Sequence, residues 1–421
     1  MSLTGSSCTY RRFSAAFLAD PIVIIGAGQS GASLAAKLRA LGYAEAILML
    51  GEEPVPPYQR PPLSKKYVSG ELAFERLLIR AESWYLAERI DLRRDTRVVA
   101  VSPRERTVTL ADGASLRYAK LALTTGASPR RLPASIGGDL NGVFTVRNLA
   151  DADAIAPMLK AGRRLLVIGG GYIGLEAAAV AAAKGLEVTV IEMAERILQR
   201  VAASMTSDYF RDLHRRHGVD ILESTGLARL TGEAGRLTGA ELNNGTRLPA
   251  DLAIVGIGVA PNDDLAKSAG LKAENGIWVD GQCRTSDPEI YAAGDCANFP
   301  WRGERTRIES VQNAIDQAEH AAAAMLGAAA DYDPKPWFWS DQYDVKLQIA
   351  GLNRGYDRTV LRPGKRPQSQ SVWYFQGDRL IAVDAMNDAL SYAFGKKIIE
   401  AGKTIPNETA ADPAADLKNW T

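Results

Sequence analysis

Two glycine-rich turns of one kind, Gly26, Gly28 and Gly31, then Gly169, Gly171 and Gly174, mark this 421-residue chain and limit what it can fold into. Each follows a short apolar run, Ile22 to Ile25 and Leu165 to Ile168, of the kind that forms a strand buried on both faces of a parallel sheet. Each opens a segment rich in alanine and leucine, Ala32 to Leu41 and Leu175 to Lys184, which propagates a helix and packs closely on a sheet. A lone G-x-G-x-x-G is a weak signal; strand, turn and helix together describe a dinucleotide fingerprint. Glycine there permits the tight turn, close approach of backbone to a pyrophosphate and close helix packing, while the helix N-terminus favours the anion. A third element completes each unit, because Glu52 and Glu192 lie roughly 20 residues past the last glycine, where a carboxylate bonds a ribose hydroxyl. Either turn alone is compatible with a purely structural strand-to-helix corner. Two complete copies predict two dinucleotides on one chain.

The copies continue alike. Val98 to Val101 and Thr107 to Leu110, with Asp112-Gly113, precede the apolar run Leu121 to Thr124 and Gly126; Leu237 to Leu242 and Asn244-Gly245 precede Leu252 to Val255 and Gly256. Both dipeptides are hairpin turn chemistry. Asn275 to Val279 and the strand Ile290 to Ala292, ending in Gly294-Asp295, belong to neither copy, and a helical pattern runs from Val311 to Leu326. Composition changes near Asp331 to Pro336. Beyond it, alternation at Val345, Leu347 and Ile349, the runs Val372 to Phe375 and Leu380 to Val383, and a helix over Tyr392 to Glu400 predict a small antiparallel sheet with a helix; from Thr404 the polar tail is expected to be loose. The fold class is therefore α/β, with two Rossmann-like dinucleotide-binding domains and a small α+β C-terminal domain. The expected boundaries are an extension over 1–19, a discontinuous first domain over 20–125 and 256–330, a second over 126–255, and the last over 331–421.

Fifty basic and 49 acidic residues leave a formal charge of +1, which argues against general attraction to nucleic acid or an acidic membrane. No apolar run has the length of a bilayer span. Arg11, Arg12 and the apolar Phe13 to Ala19 faintly resemble a signal peptide, but Asp20 closes the run, and the segment reads as a loose or tag-like extension. Cys8, Cys283 and Cys296 show neither zinc-site nor disulfide-framework spacing, so a reducing cytoplasm fits. His214 and His217 share a helix face without a third ligand and read as surface histidines rather than a metal site.

Two dinucleotides make most sense when one stays bound and the other visits, so that hydride passes between them; flavin and nicotinamide are such a pair. Several segments then carry a resemblance. They are Arg60-Pro61-Pro62-Leu63-Ser64-Lys65, Thr125-Gly126-Ala127, Gly171-Tyr172-Ile173-Gly174-Leu175-Glu176, Tyr291-Ala292-Ala293-Gly294-Asp295-Cys296, Arg307 to Ala314, and Trp337-Phe338-Trp339-Ser340-Asp341-Gln342-Tyr343. Over roughly residues 20 to 405 the chain resembles the NADH-dependent, FAD-containing ferredoxin reductases, the putidaredoxin reductase-like group that includes reductase components of aromatic dioxygenases, of glutathione-reductase-like architecture.

The resemblance implies roles. Gly26, Gly28, Gly31 and Glu52 would hold the adenosine half of FAD. Arg60, Lys65, Thr125, Gly126, Asp295, Gln312 and Trp339 would border its flavin and ribityl portion. Gly169, Gly171, Gly174 and Glu192 would hold NADH. Lys65 and Glu176 would be the catalytic pair near flavin N5, the ammonium favouring the anionic reduced flavin and the carboxylate holding and partly neutralising it. Glu192 favours NADH over NADPH, although Arg196 and Arg200 nearby are residues that accept a 2′-phosphate. Related disulfide reductases carry a cysteine pair beside the flavin, and Pro57 to Lys66 has none. An external one-electron acceptor is therefore implied, a [2Fe-2S] ferredoxin supplying a cytochrome P450 or an aromatic-ring oxygenase, with Arg305, Arg307, Lys396 and Lys397 as docking candidates. The chain is expected to act as a cytoplasmic monomer. Two alternatives stay open at this point, a flavin enzyme with a quinone or oxygen as acceptor, and a redox-sensing interaction flavoprotein.

Overall fold

The computed structural model describes residues 20–421; the extension expected over 1–19, and Cys8 within it, lie outside them. Two five-stranded parallel sheets are built on the two glycine units. The first orders its strands Ile290–Ala292, Lys120–Leu123, Ile22–Ile25, Ile47–Leu50 and Ile90–Arg93; the second orders Asp220–Leu222, Glu187–Ile191, Arg164–Ile168, Leu252–Val255 and Val143–Phe144. Every residue of Ile22–Ile25 and Leu252–Val255 is buried, as expected for strands covered on both faces. In each sheet the chain runs outward on one side of the glycine strand and returns on the other, so the turn opens into the crevice where strand order reverses.

Ile290–Ala292, assigned above to neither copy, is the edge strand of the first sheet. It pairs parallel with Lys120–Leu123, Ala292 opposite Leu123, while Leu123 stands opposite Ile25. That register carries Gly294 and Asp295 to the same rim as the Gly26 turn. The hairpin segments form a three-stranded antiparallel sheet beside each unit. The chain crosses between units twice, at Ala127–Pro129 and Val259–Pro261, and the two crossings pair antiparallel.

The last five strands make an antiparallel sheet in the order Trp337–Gln342, Val345–Gly351, Arg379–Met386, Gln370–Gln376 and Arg358–Pro363. Alternation sorts its residues to two cores. Trp373, Phe375 and Val383 pack under the helix Ala389–Glu400 with Ile398. Val372, Tyr374 and Ala382 join Leu175, Val188 and Phe210 of the second nucleotide unit.

The tail from Thr404 is not loose. Ile405, Ala410 and Leu417 are buried, and Arg362, 6% exposed, donates to the backbone carbonyls of Thr409, Asp412 and Ala415. Composition misleads here because a guanidinium binds carbonyl oxygens whatever side chains the segment carries. Among the described residues no helix is long and apolar enough to cross a membrane.

Candidate functional site

The glycine turns repeat each other in three-dimensional detail. Gly26 and Gly169 have φ of +111° and +106°, backbone that disfavours any side chain. A Cβ at Gly31 would strike the carbonyl oxygen of Gly26, and one at Gly174 that of Gly169. The middle glycines differ, since a Cβ at Gly28 or Gly171 would meet nothing within 4 Å. Packing does not require them; they leave room at the head of a helix. Gly28 caps the helix Gln29–Ala40 and Gly171 caps Tyr172–Ala183, each without a side-chain cap bond and without an acid in the first turn. Uncapped N–H groups facing open space at a strand-order reversal suit a pyrophosphate, which FAD and NADH both carry.

A polar cluster forms on the rim of the first sheet. Asp295 pairs with Arg147 at 3.1 Å, and the Asp295 carbonyl accepts from Arg307 at 3.0 Å. Arg60 pairs with Glu53 at 2.5 Å and donates to the Arg147 carbonyl at 2.9 Å. Gly126, with φ +69°, lies close to the Arg147 guanidinium. Thr125 Oγ1 donates to the Asn262 carbonyl at 2.6 Å, and Asn262 returns a bond to the Thr125 carbonyl. Gln312 lies in the first turn of the helix Val311–Met325 and bonds Asp316 at 2.6 Å. Arg147 is a residue that motif reading misses. The only local signal is the capping box of Asn148 and Asp151 that starts the next helix and fixes the backbone there.

Glu176 and Lys65 join the two units. Glu176 is 2% exposed and sits in the helix opened by Gly171. Its Oε2 accepts from Lys65 Nζ at 2.7 Å and from Ser64 Oγ at 2.8 Å, and its Oε1 accepts from Ser340 Oγ at 2.7 Å. A buried carboxylate survives only when paired and fully hydrogen-bonded, and here the three donors come from two distant stretches of chain, Ser64-Lys65 and Ser340. Lys65 follows the short turn Pro61–Ser64, with its backbone N–H on the Pro62 carbonyl.

The other expected residues are placed as follows. Glu52 is exposed, with Arg97 3.6 Å away. Glu192 accepts at 2.8 Å from the N–H of Gly170, inside the second turn, and at 2.8 Å from that of Ala194; each oxygen keeps a second lone pair for a ribose hydroxyl. Arg196 is turned to Ser207, and Arg200 lies near Gly258. Trp339 packs against Trp337 with ring centroids 5.6 Å apart. Arg305 and Arg307 are not free charges: Arg305 bonds the Val279 carbonyl and covers Trp278, and Arg307 pairs with Glu309. Lys396 lies over the Trp337 ring and Lys397 is exposed. His214 is not on the surface but 0% exposed, because the helix Ser204–Arg216 buries the face carrying Phe210 and Leu213 against the C-terminal sheet. Cys283 and Cys296 are fully buried, and burial raises both thiols, so neither is a ready nucleophile.

Two open anion cradles, joined by a buried lysine–glutamate pair and accompanied by no reactive thiol among the described residues, define an oxidoreductase that holds two dinucleotides. The chain belongs to the pyridine nucleotide-disulphide oxidoreductase family, which it matches over residues 20–318, and residues 337–421 match the reductase C-terminal family. It is 46% identical to a ferredoxin–NAD(P)(+) reductase of Sphingomonas sp over 403 residues, 95% of this chain and 97% of that one. It is 41% identical to the ferredoxin–NAD(+) reductase component of the anthranilate 1,2-dioxygenase system of Burkholderia cepacia, covering 96% of this chain and 99% of that one. The crystal structure of the covalent putidaredoxin reductase–putidaredoxin complex superposes with a TM-score of 0.92 at 41% identity, over 95% of this chain and 98% of the other.

Proposed function

We propose that the protein is an FAD-containing NADH:ferredoxin oxidoreductase, passing electrons from NADH through FAD to a [2Fe-2S] ferredoxin that supplies a cytochrome P450 or an aromatic-ring oxygenase. The observation that carries this reading is the Lys65–Glu176 pair, which ties the turn Pro61–Ser64 to the helix opened by Gly171, with no cysteine in Pro57 to Lys66. Relatives named for ferredoxin and for a dioxygenase system, over nearly their whole length, support the acceptor class.

In this reading residues 20–125 and 256–330 hold FAD, 126–255 hold NADH, and 331–421 complete the site. The N–H groups after Gly28 bind the FAD pyrophosphate and Glu52 its ribose, with Arg60, Thr125, Gly126, Asp295, Gln312 and Trp339 bordering the rest. When bound, FAD takes two electrons together as hydride and gives them up singly. No residue need act as acid or base in the hydride step; the chain positions the visiting nicotinamide, through the cradle at Gly171 and the Glu192 carboxylate. The engagement of Arg196 with Ser207 supports NADH over NADPH. Lys65 holds positive charge beside the site, and Glu176 holds Lys65. The near-zero formal charge of +1 supports a protein that binds neither nucleic acid nor membrane, and cysteines without disulfide-framework spacing support a reducing cytoplasm; in this reading the chain acts there as a monomer.

Anaerobic mixing with NADH tests this. The purified protein should be yellow, should bleach with NADH, and should reduce a [2Fe-2S] ferredoxin. Brisk reduction of a quinone without transfer to ferredoxin would replace it with a small-molecule acceptor. Slow bleaching accompanied by dimerisation would replace it with a redox-sensing role.

A further inference from the structure

We infer that Ser340, Gln342 and His214 are positioning residues for the Lys65–Glu176 pair, linked in a one-way hydrogen-bond chain whose donors all point toward Glu176. The inference rests on the reaction assigned above. The strand Trp337–Gln342 sends Trp337 and Trp339 to one face and Ser340 and Gln342 to the other, where both are 0% exposed. His214 Nε2 lies 2.8 Å from Gln342 Oε1, Gln342 Nε2 donates to Ser340 Oγ at 3.1 Å, and Ser340 Oγ donates to Glu176 Oε1 at 2.7 Å.

The chemistry of each group sets the direction. An amide oxygen only accepts, so His214 must carry its proton on Nε2. The neutral ring then accepts at Nδ1, where Tyr343 OH lies 3.2 Å away. The Gln342 amide occupies a lone pair of the Ser340 hydroxyl and leaves the hydroxyl proton for Glu176. Tyr343 is itself braced by His217, whose ring stacks on it at 3.7 Å. Burial keeps His214 neutral, lowering it from the ordinary value to about 4, with the nearby His217 adding to that shift and the Gln342 bond opposing it. Both oxygens of Glu176 are thereby held, Oε2 by Ser64 and Lys65 and Oε1 by Ser340, and the Lys65 ammonium has one place to sit. A fully satisfied buried network of this kind rigidifies the groups at its end.

The test uses the FAD-loaded protein with 15N-labelled histidine, which gives signals from three histidines. One, lost in His214→Phe, should remain a neutral Nε2–H tautomer through neutral pH. Ser340→Ala should slow reduction of the flavin by NADH by about tenfold or more while leaving KM for NADH within about twofold, and Ser340→Thr should restore the rate. Gln342→Glu, which draws the Ser340 proton away from Glu176, should slow it at least as much and shift the flavin spectrum. An Nδ1–H tautomer at His214 would overturn the direction. Wild-type rates and spectra in Ser340→Ala and Gln342→Glu, whatever their melting temperatures, would reduce the chain to packing. A wild-type protein that NADH does not bleach would instead sink the assigned reaction, and the tautomer would still report the chain.

Discussion

The junction between the helix Ser204–Arg216 and the C-terminal sheet holds two buried titratable groups whose effects on stability run in opposite directions with pH. His214 is neutral and lowered by burial from 6.5 to about 4. A depressed folded value means that its contribution is whole above the unfolded value and is lost as pH falls toward the folded one. Asp384 is also 0% exposed. Its Oδ2 accepts from Tyr374 OH and, at 2.8 Å, from Thr206 Oγ1, while its Oδ1 has no partner. Burial raises it from 3.8 to about 6, against the pull of those two bonds. Its contribution is whole below the unfolded value and is lost as pH rises through the folded one. Between about pH 7.5 and pH 5 the histidine removes about 2 kcal/mol and the aspartate returns about 1 kcal/mol. The wild type should therefore hide most of either effect. Urea unfolding at both pH values, for wild type, Asp384→Asn and His214→Phe, separates them. On acidification Asp384→Asn should lose about 1 kcal/mol more than wild type, and His214→Phe about 2 kcal/mol less. Comparing differences removes the surface carboxylates common to all three. If both variants track the wild-type change to within about 0.3 kcal/mol, the precision at which distant sites add, the burial argument is wrong.

Gly171→Val should fold with stability within about 0.5 kcal/mol of wild type, because a Cβ there meets nothing in the protein, yet raise KM for NADH more than about tenfold while FAD content stays unchanged; Gly174→Val, which strikes the Gly169 carbonyl oxygen, should fail to fold. Lys65→Ala leaves Glu176 buried without its cation, so chemical denaturation should show a loss of about 3 kcal/mol, and NADH should reduce the flavin more slowly. Adding Glu176→Gln should restore most of the stability and none of the rate. Arg362→Met should free the tail beyond Thr404, seen as faster cleavage there in limited proteolysis while the rest of the chain stays intact.

What the amino-acid order made legible is what local chemistry dictates. Ile22–Ile25 and Leu252–Val255 announce themselves because strands covered on both faces must be apolar throughout, and the glycines because no other residue fits φ near +110° or tolerates the carbonyl contacts at Gly31 and Gly174. Contacts between distant stretches were not legible. Nothing near Asp295 points to Arg147, nothing near Glu176 points to Ser340, and Ile290–Ala292 carries no mark of which sheet it will join. Polarity misled where burial was supplied by partners. His214 read as a surface residue because its acceptor, Gln342, is far along the chain, and Arg305 read as a docking charge because its carbonyl and indole partners leave no charge pattern. The resemblance located Lys65 and Glu176 as a pair; the three donors that hold the carboxylate became visible only when the fold brought them together.

The strand Trp337–Gln342 turns back into Val345–Gly351 through Tyr343 and Asp344 alone, with Tyr343 at φ +55°. That corner works as a ruler. A residue deleted between Ser340 and the corner would exchange the faces of the strand before it, bringing Trp339 to the position of Ser340 and so presenting an indole to Glu176 and a hydroxyl to the outside. Lengthening the corner would pull the Tyr343 ring off His217 and His214. A change of length should therefore be tolerated at the other loops of the sheet and not at this hairpin.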